Sequence, residues 1–145
     1  MKNYWKTALW SMALILFTFM ATSCGDDDED EAPELRTKVY TLQTVTAGVG
    51  GTVTFNEVNS TSTSVTVVLT GAPDGGVHPA HIHDGDIDNP GGIAYNLGPI
   101  ENSTNTVTLD ASYDALTSYN GYVNIHLSAE ELEVIVANAN IGSNE

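Results

Sequence analysis

The chain holds a single cysteine, Cys24, in 145 residues. No internal disulfide is therefore available, and stability must come from a packed core. Positive charge is equally scarce: 4 Lys and Arg stand against 19 Asp and Glu, for a net charge of −15. Such a surface excludes nucleic acid and anionic lipid as partners held by charge. No apolar run reaches the roughly 20 residues that a membrane-spanning helix needs. A Gly-x-Ser-x-Gly elbow and a glycine-rich phosphate loop are also missing, which removes the usual supports for a serine nucleophile and for nucleotide binding.

What is present begins with Lys2 and Lys6, followed by the short apolar run ALWSMALILFTFM at 8–20 and the small residues Ala21, Thr22 and Ser23 before Cys24. That order reads as a signal peptide over 1–23 that ends in a lipobox. Cys24 is then the lipidated, palmitate-bearing first residue of the mature chain. Gly25 and six consecutive carboxylates, 26–31, follow it. Adjacent carboxylates repel one another and stay in water, so 24–35 is expected to be a solvated tether. An acidic run behind a lipidated cysteine also resembles a surface-export signal, and the expectation is an outer-membrane protein that faces the cell exterior; the competing reading is a spacer that only holds the domain off the membrane. The mature chain keeps only Arg36 and Lys38 as basic residues against 19 acidic ones. Its membrane contact is expected to be the lipid alone.

Residues 36–145 read as one all-β domain. Runs of period two occur at 39–42, 51–55, 64–70, 77–83, 92–97, 104–109, 122–127 and 134–137, punctuated by glycine-rich turns. Turn signals spaced about 8–12 residues apart predict a Greek-key β-sandwich, immunoglobulin-like or superoxide-dismutase-like, of seven or eight strands. Helix signals are few. One turn is expected at 112–117, and the Ser128-Ala-Glu-Glu131 capping box predicts the start of another.

Three of the four histidines lie in the stretch HPAHIHDGDIDNPGG, 78–92. Alternate side chains of a strand share a face, so His81 and His83 point together while Ile82 enters the core. In 122–127 the apolar set Val123, Ile125 and Leu127 claims the core, which leaves Tyr122, Asn124 and His126 on the other face. If the two strands are neighbours, His81, His83 and His126 converge on one ion, with Asp84 or solvent as a fourth ligand. Imidazole suits copper, zinc or nickel, and intrinsic affinity favours copper over zinc. The competing reading has the same imidazoles hydrogen-bonded around a loop, without metal. His78 has the parity of Ile82 and ranks below the other three. Asp84, Asp86 and Asp88 match the opening of an EF-hand loop, but its sixth and twelfth positions hold Asn89 and Tyr95, so that calcium reading fails.

The segments AHIHDG (80–85), GGIAYNLG (91–98), YNGYVNIHLSAEEL (119–132) and VIVANANIG (134–142) resemble a CHRD, or chordin-type, domain over roughly residues 38–142. The Gly-Glu-Ile-Arg-Gly-Gln ending of many members is absent. More distantly, HIHDGD, NIHLSAEEL and VANANIG are similar to segments of copper–zinc superoxide dismutases. That resemblance lays His81, His83 and His126 on three copper ligands. The bridging histidine, the zinc-loop histidines, the disulfide and the arginine beside the copper have no counterparts here.

The resulting expectation is a lipid-anchored cell-envelope binding module with one copper or zinc ion and an unknown protein or glycan partner. A metal-free adhesive sandwich ranks second and a copper-dependent redox enzyme third, because the charge opposes an anionic substrate. Replacing Cys24 with alanine is expected to release the protein from the membrane fraction. A Cys24→Ala protein that still pellets with membranes after a high-salt wash refutes the lipid anchor.

Overall fold

The alternation of β-branched and polar residues that marks 64–70 in the sequence produces the plainest strand of the fold. Thr63, Val65, Val67 and Leu69 turn inward and are buried, while Ser64, Thr66, Val68 and Thr70 face out. The computed structural model describes residues 34–46 and 48–145. The signal peptide, Cys24 and the acidic run lie outside the described residues. The elements are β1 Thr37–Thr44, β2 Gly50–Asn59, β3 Ser62–Thr70, β4 Val77–Gly85, β5 Pro90–Glu101, β6 Thr104–Leu109, α1 Tyr113–Thr117, β7 Asn120–His126 and β8 Ile135–Gly142. Each of the eight expected runs lies on one of the eight strands. No helix of the described residues is long and apolar enough to cross a membrane.

The strands close in the order β1-β2-β3-β6-β5-β4-β7-β8, with β8 returning to β1. Only one register pair, Glu101↔Thr104, joins β5 to β6, and only Gln43↔Asn138 and Thr44↔Ala137 join β1 to β8. The strands thus close into a barrel-like sandwich, in keeping with the all-β Greek-key expectation. Two well-paired four-stranded sheets, β1-β2-β3-β6 and β5-β4-β7-β8, meet at two narrow seams. Closure removes the unpaired edges that an open sandwich would expose. The links from β3 to β4 and from β6 to β7 cross between the sheets, which is the Greek-key feature. The β5–β6 hairpin turns on Asn102 and Ser103, both in the left-handed region at φ 50° and 65°. That is the primed-turn geometry whose twist matches paired strands.

Phe55, Ile82, Leu97, Ile100, Leu116, Ile125 and Ile141 are the largest fully buried side chains. Tyr40 meets Phe55 edge to face, ring centroids 5.2 Å apart. Ser112 caps α1 by accepting from the Ala115 amide at 3.2 Å. Arg36 bridges Glu57 of β2 and Asp114 of α1 at 2.8 and 2.5 Å, and its guanidinium lies 4.7 Å from the centre of the Tyr113 ring. Lys38 pairs with Glu145. Both basic side chains among the described residues are therefore engaged in ion pairs.

The second expected helix does not form. Residues 127–134 make successive turns, Glu131 N donating to Ser128 O and Val134 N to Glu131 O. The cause is the closure of the link: Leu127 N donates to Val134 O at 2.8 Å and His126 already pairs with Ile135. A segment pinned at both ends to adjacent antiparallel strands has no room for several helical turns.

The fully buried Ile82, Val123 and Ile125 sit where the strand parity puts them. Ile125→Ala is expected to cost about 2–5 kcal/mol, the usual range for cavities in well-packed cores. Denaturant unfolding measures it, and a variant with unchanged stability contradicts this core.

Candidate metal centre

Strand β4 pairs antiparallel with β7 in the register Ala80↔Ile125, His81↔Asn124, Ile82↔Val123, His83↔Tyr122. Ile82, Val123 and Ile125 occupy the barrel interior, so the alternate positions place His81, His83, Tyr122 and Asn124 together on the other face, with His126 further along β7. One ring nitrogen from each of His81, His83 and His126 lies within 4.8 Å of the others. The structure brings together the three histidines that the sequence singled out.

That face is not open, contrary to the expectation of an outer polar surface. His126 is 6% exposed and Asn124 8%. The link 127–134 folds back over β7, and its Leu132 carbonyl meets the His126 ring. The resulting cavity of about 350 Å³ is lined by the three histidines with Asn124, Ile93, Leu132, Glu133 and Ile135.

The protons on the rings follow from their partners. His126 Nδ1 lies 2.5 Å from Leu132 O, and His83 Nδ1 lies 3.2 Å from Gly91 O. A carbonyl only accepts, so both Nδ1 atoms carry hydrogen and each Nε2 presents its lone pair toward the other imidazoles. A Cβ on residue 91 would stand 2.7 Å from both Cβ and O of Asp84, so glycine permits the close approach that delivers this carbonyl. His81 Nδ1 is 3.0 Å from His126 Nε2. Without an ion this is an N–H···N bond donated by His81. For His81 to ligate through Nδ1, that proton must move to Nε2, which leaves the ring neutral.

His83 Nε2 is buried and has no hydrogen-bond partner. A buried acceptor without a partner normally costs about 1–3 kcal/mol, so an orphan lone pair beside two other imidazoles fits a ligand atom. Tyr122 stacks on His83 with ring centroids 5.1 Å apart and an interplanar angle of 26°, which holds the ring in place. Carbonyl partners on the far nitrogens and a packed ring are the supporting contacts that orient metal-binding histidines. The donor set suits a borderline or soft divalent ion such as copper or zinc.

Asp84 is placed elsewhere. It follows His83 directly, so its side chain leaves on the opposite side, is exposed, and accepts a hydrogen bond from the Tyr119 hydroxyl. That carboxylate pushes the Tyr119 hydroxyl up to about 12. The carboxylate that does line the cavity is Glu133. Parity pointed to no residue of 127–134, because a link without regular structure has no period to read. His78 is buried, its Nδ1 3.1 Å from the His126 carbonyl, and it lines a separate cavity with Leu127 and Glu131. The acidic turn is occupied with its own backbone: Asp86 accepts from the Asp88 and Asn89 amides at 2.9 and 2.8 Å.

The model of the CHRD domain family matches residues 34–131, well over half of the chain. The chain belongs to the CHRD family. The match ends before β8, where the sequence lacks the ending common in the family. A search of curated proteins finds no match. Among solved structures, a point mutant of Candida albicans superoxide dismutase 5 is similar at 20% identity, with 73% of this chain and 90% of that chain covered and a TM-score of 0.49. A likeness at that level says nothing of the chemistry of this CHRD domain.

Burial holds the His81 ring below the ordinary histidine range, and the neighbouring His126 and His83 add to the effect. Burial also lowers His126, opposed in part by its bond to Leu132 O and by Glu133. Both imidazoles are therefore neutral at pH 7, the form that ligates. The sign for stability follows: these folded-state values lie below the unfolded value near 6.5. Their contribution is fully present above that pH and is lost as pH falls through the folded values. Metal-free protein is expected to melt at a constant temperature between about pH 7.5 and 6.5 and at falling temperature toward about pH 5.5. The fall should be smaller in His126→Asn, and a parent melting temperature that stays flat over the whole range contradicts the assignment.

Proposed function

We propose that this CHRD domain is a lipid-anchored binding module of the cell envelope, exposed on the outer membrane, whose three-histidine pocket takes one copper or zinc ion. The observation that carries the metal reading is the convergence of three imidazoles, of which His83 and His126 have their Nδ1 protons committed to backbone carbonyls and His83 also has an orphaned Nε2. The lipobox ending at Cys24 supports the anchor, and the acidic run behind it supports display at the exterior. His81, His83 and His126 would hold the ion; when bound, either metal supplies Lewis acidity, and copper also one-electron exchange. Around it the protein's own groups orient the rings, and burial favours the neutral form of His81 and His126.

A metal-free adhesive module is the second reading, and the His81–His126 hydrogen bond of 3.0 Å favours it. A redox enzyme acting on a small anion ranks third. No basic side chain lines the pocket, Arg36 and Lys38 are paired elsewhere, and the net charge of −15 repels anions.

Titration of chelator-stripped protein with Cu²⁺ or Zn²⁺ is expected to reveal one site, lost in His81→Ala and in His126→Ala but kept in His78→Ala. Equal binding by the parent and all three variants makes the histidines structural and transfers the function to the adhesive reading.

A further inference from the structure

Three neutral imidazoles bring no negative charge to a divalent ion. A dication held beside partly buried rings is costly unless a counter-charge accompanies it. The wall of the cavity contains one carboxylate, Glu133. It follows Leu132, whose carbonyl grips His126 Nδ1 at 2.5 Å, and it lies in a turn closed by Val134 N donating to Glu131 O at 3.1 Å. Its backbone is thus fixed beside one of the three histidines. Its side chain is exposed, and no ion pair among the described residues holds it elsewhere.

We infer that Glu133 is the fourth ligand of the metal centre, a carboxylate arm on the 127–134 link that turns inward over the ion and closes the site. The inference rests on the metal reading above. Glu133 lies outside the set of ligand atoms within 4.8 Å of one another, so ligation requires rotation of its side chain. Exposed side chains change rotamer within nanoseconds. The link then has two duties: the Leu132 carbonyl sets the His126 tautomer from the backbone, and the adjacent side chain supplies charge. A carboxylate oxygen beside three imidazoles also makes the site a holder of divalent ions, with hard-donor character that Cu⁺ does not seek. The rim beyond Glu133 is apolar, with Ile93 58% and Leu132 45% exposed. An incoming ligand for the metal must therefore displace the carboxylate at a mouth that offers little else to bind.

The test compares Zn²⁺ affinity in the full-length protein, purified in detergent and stripped with chelator, with that of Glu133→Gln and Glu131→Gln. Glu131 lines the neighbouring cavity with His78 and is the control. Glu133→Gln is expected to bind zinc at least ~10-fold more weakly, the scale on which supporting metal-site groups act. The loss should persist in about 0.5 M NaCl, whereas the effect of an unligated exposed charge is screened there. Glu131→Gln should match the parent. Because Glu133 is exposed, both variants are expected to melt as the parent does when metal-free. Zinc binding by Glu133→Gln within about twofold of the parent, or a loss that vanishes at high salt, overturns the ligand role while leaving the three-histidine site standing. A parent that takes up no zinc and no copper overturns the metal reading itself, and this inference with it.

Discussion

The pairing of β4 with β7 is the constraint from which the site follows. Because side chains alternate along each strand, one register serves both the core and the pocket. With Ile82 opposite Val123 and Ala80 opposite Ile125, the apolar set faces inward. His81 and His83 then stand beside Tyr122, Asn124 and His126 on the reverse. A slip of one residue would carry all of these side chains to the wrong face. The energy that fixes the register comes from the buried isoleucines and valines, so the core positions the histidines at no separate cost.

The second determinant is the link between β7 and β8. It is tied down at Leu127 and Val134 and cannot extend into solvent as a loose hairpin loop would. It lies instead across the histidine face. Its coverage removes water from His126, keeps that ring neutral and delivers the carbonyl that chooses its tautomer. The β5 segment chooses the tautomer of His83 through Gly91 O. In both cases a backbone carbonyl, which cannot be replaced by side-chain substitution, points an Nε2 lone pair into the cavity.

Charge defines what the site excludes. Arg36 ties the start of the domain to β2 and α1, and Lys38 meets the terminal Glu145. These exposed pairs add little stability, but they leave the pocket without a cation to attract an anionic ligand. The field of a strongly acidic chain, with Glu133 in the wall of the histidine cavity, favours cations over anions there.

By itself the sequence determined the runs that become the eight strands, the single helical turn at 112–117, the buried parity of Ile82, Val123 and Ile125, and the shared face of His81 with His83. All of these follow from period-two patterning and local turn chemistry, which are properties of adjacent residues. Only the tertiary structure decided that β4 lies beside β7, that the two sheets close into a barrel through the Gln43↔Asn138 and Glu101↔Thr104 seams, and that 127–134 is a cover rather than a helix. It also moved the nearby carboxylate from Asp84 to Glu133. Asp84 is next to His83 in the chain, and adjacency in a strand puts its side chain on the opposite face. Glu133 is seven residues from His126 in an irregular link. It reaches the pocket because the ends of that link are hydrogen-bonded to each other, a constraint with no periodic trace in the sequence.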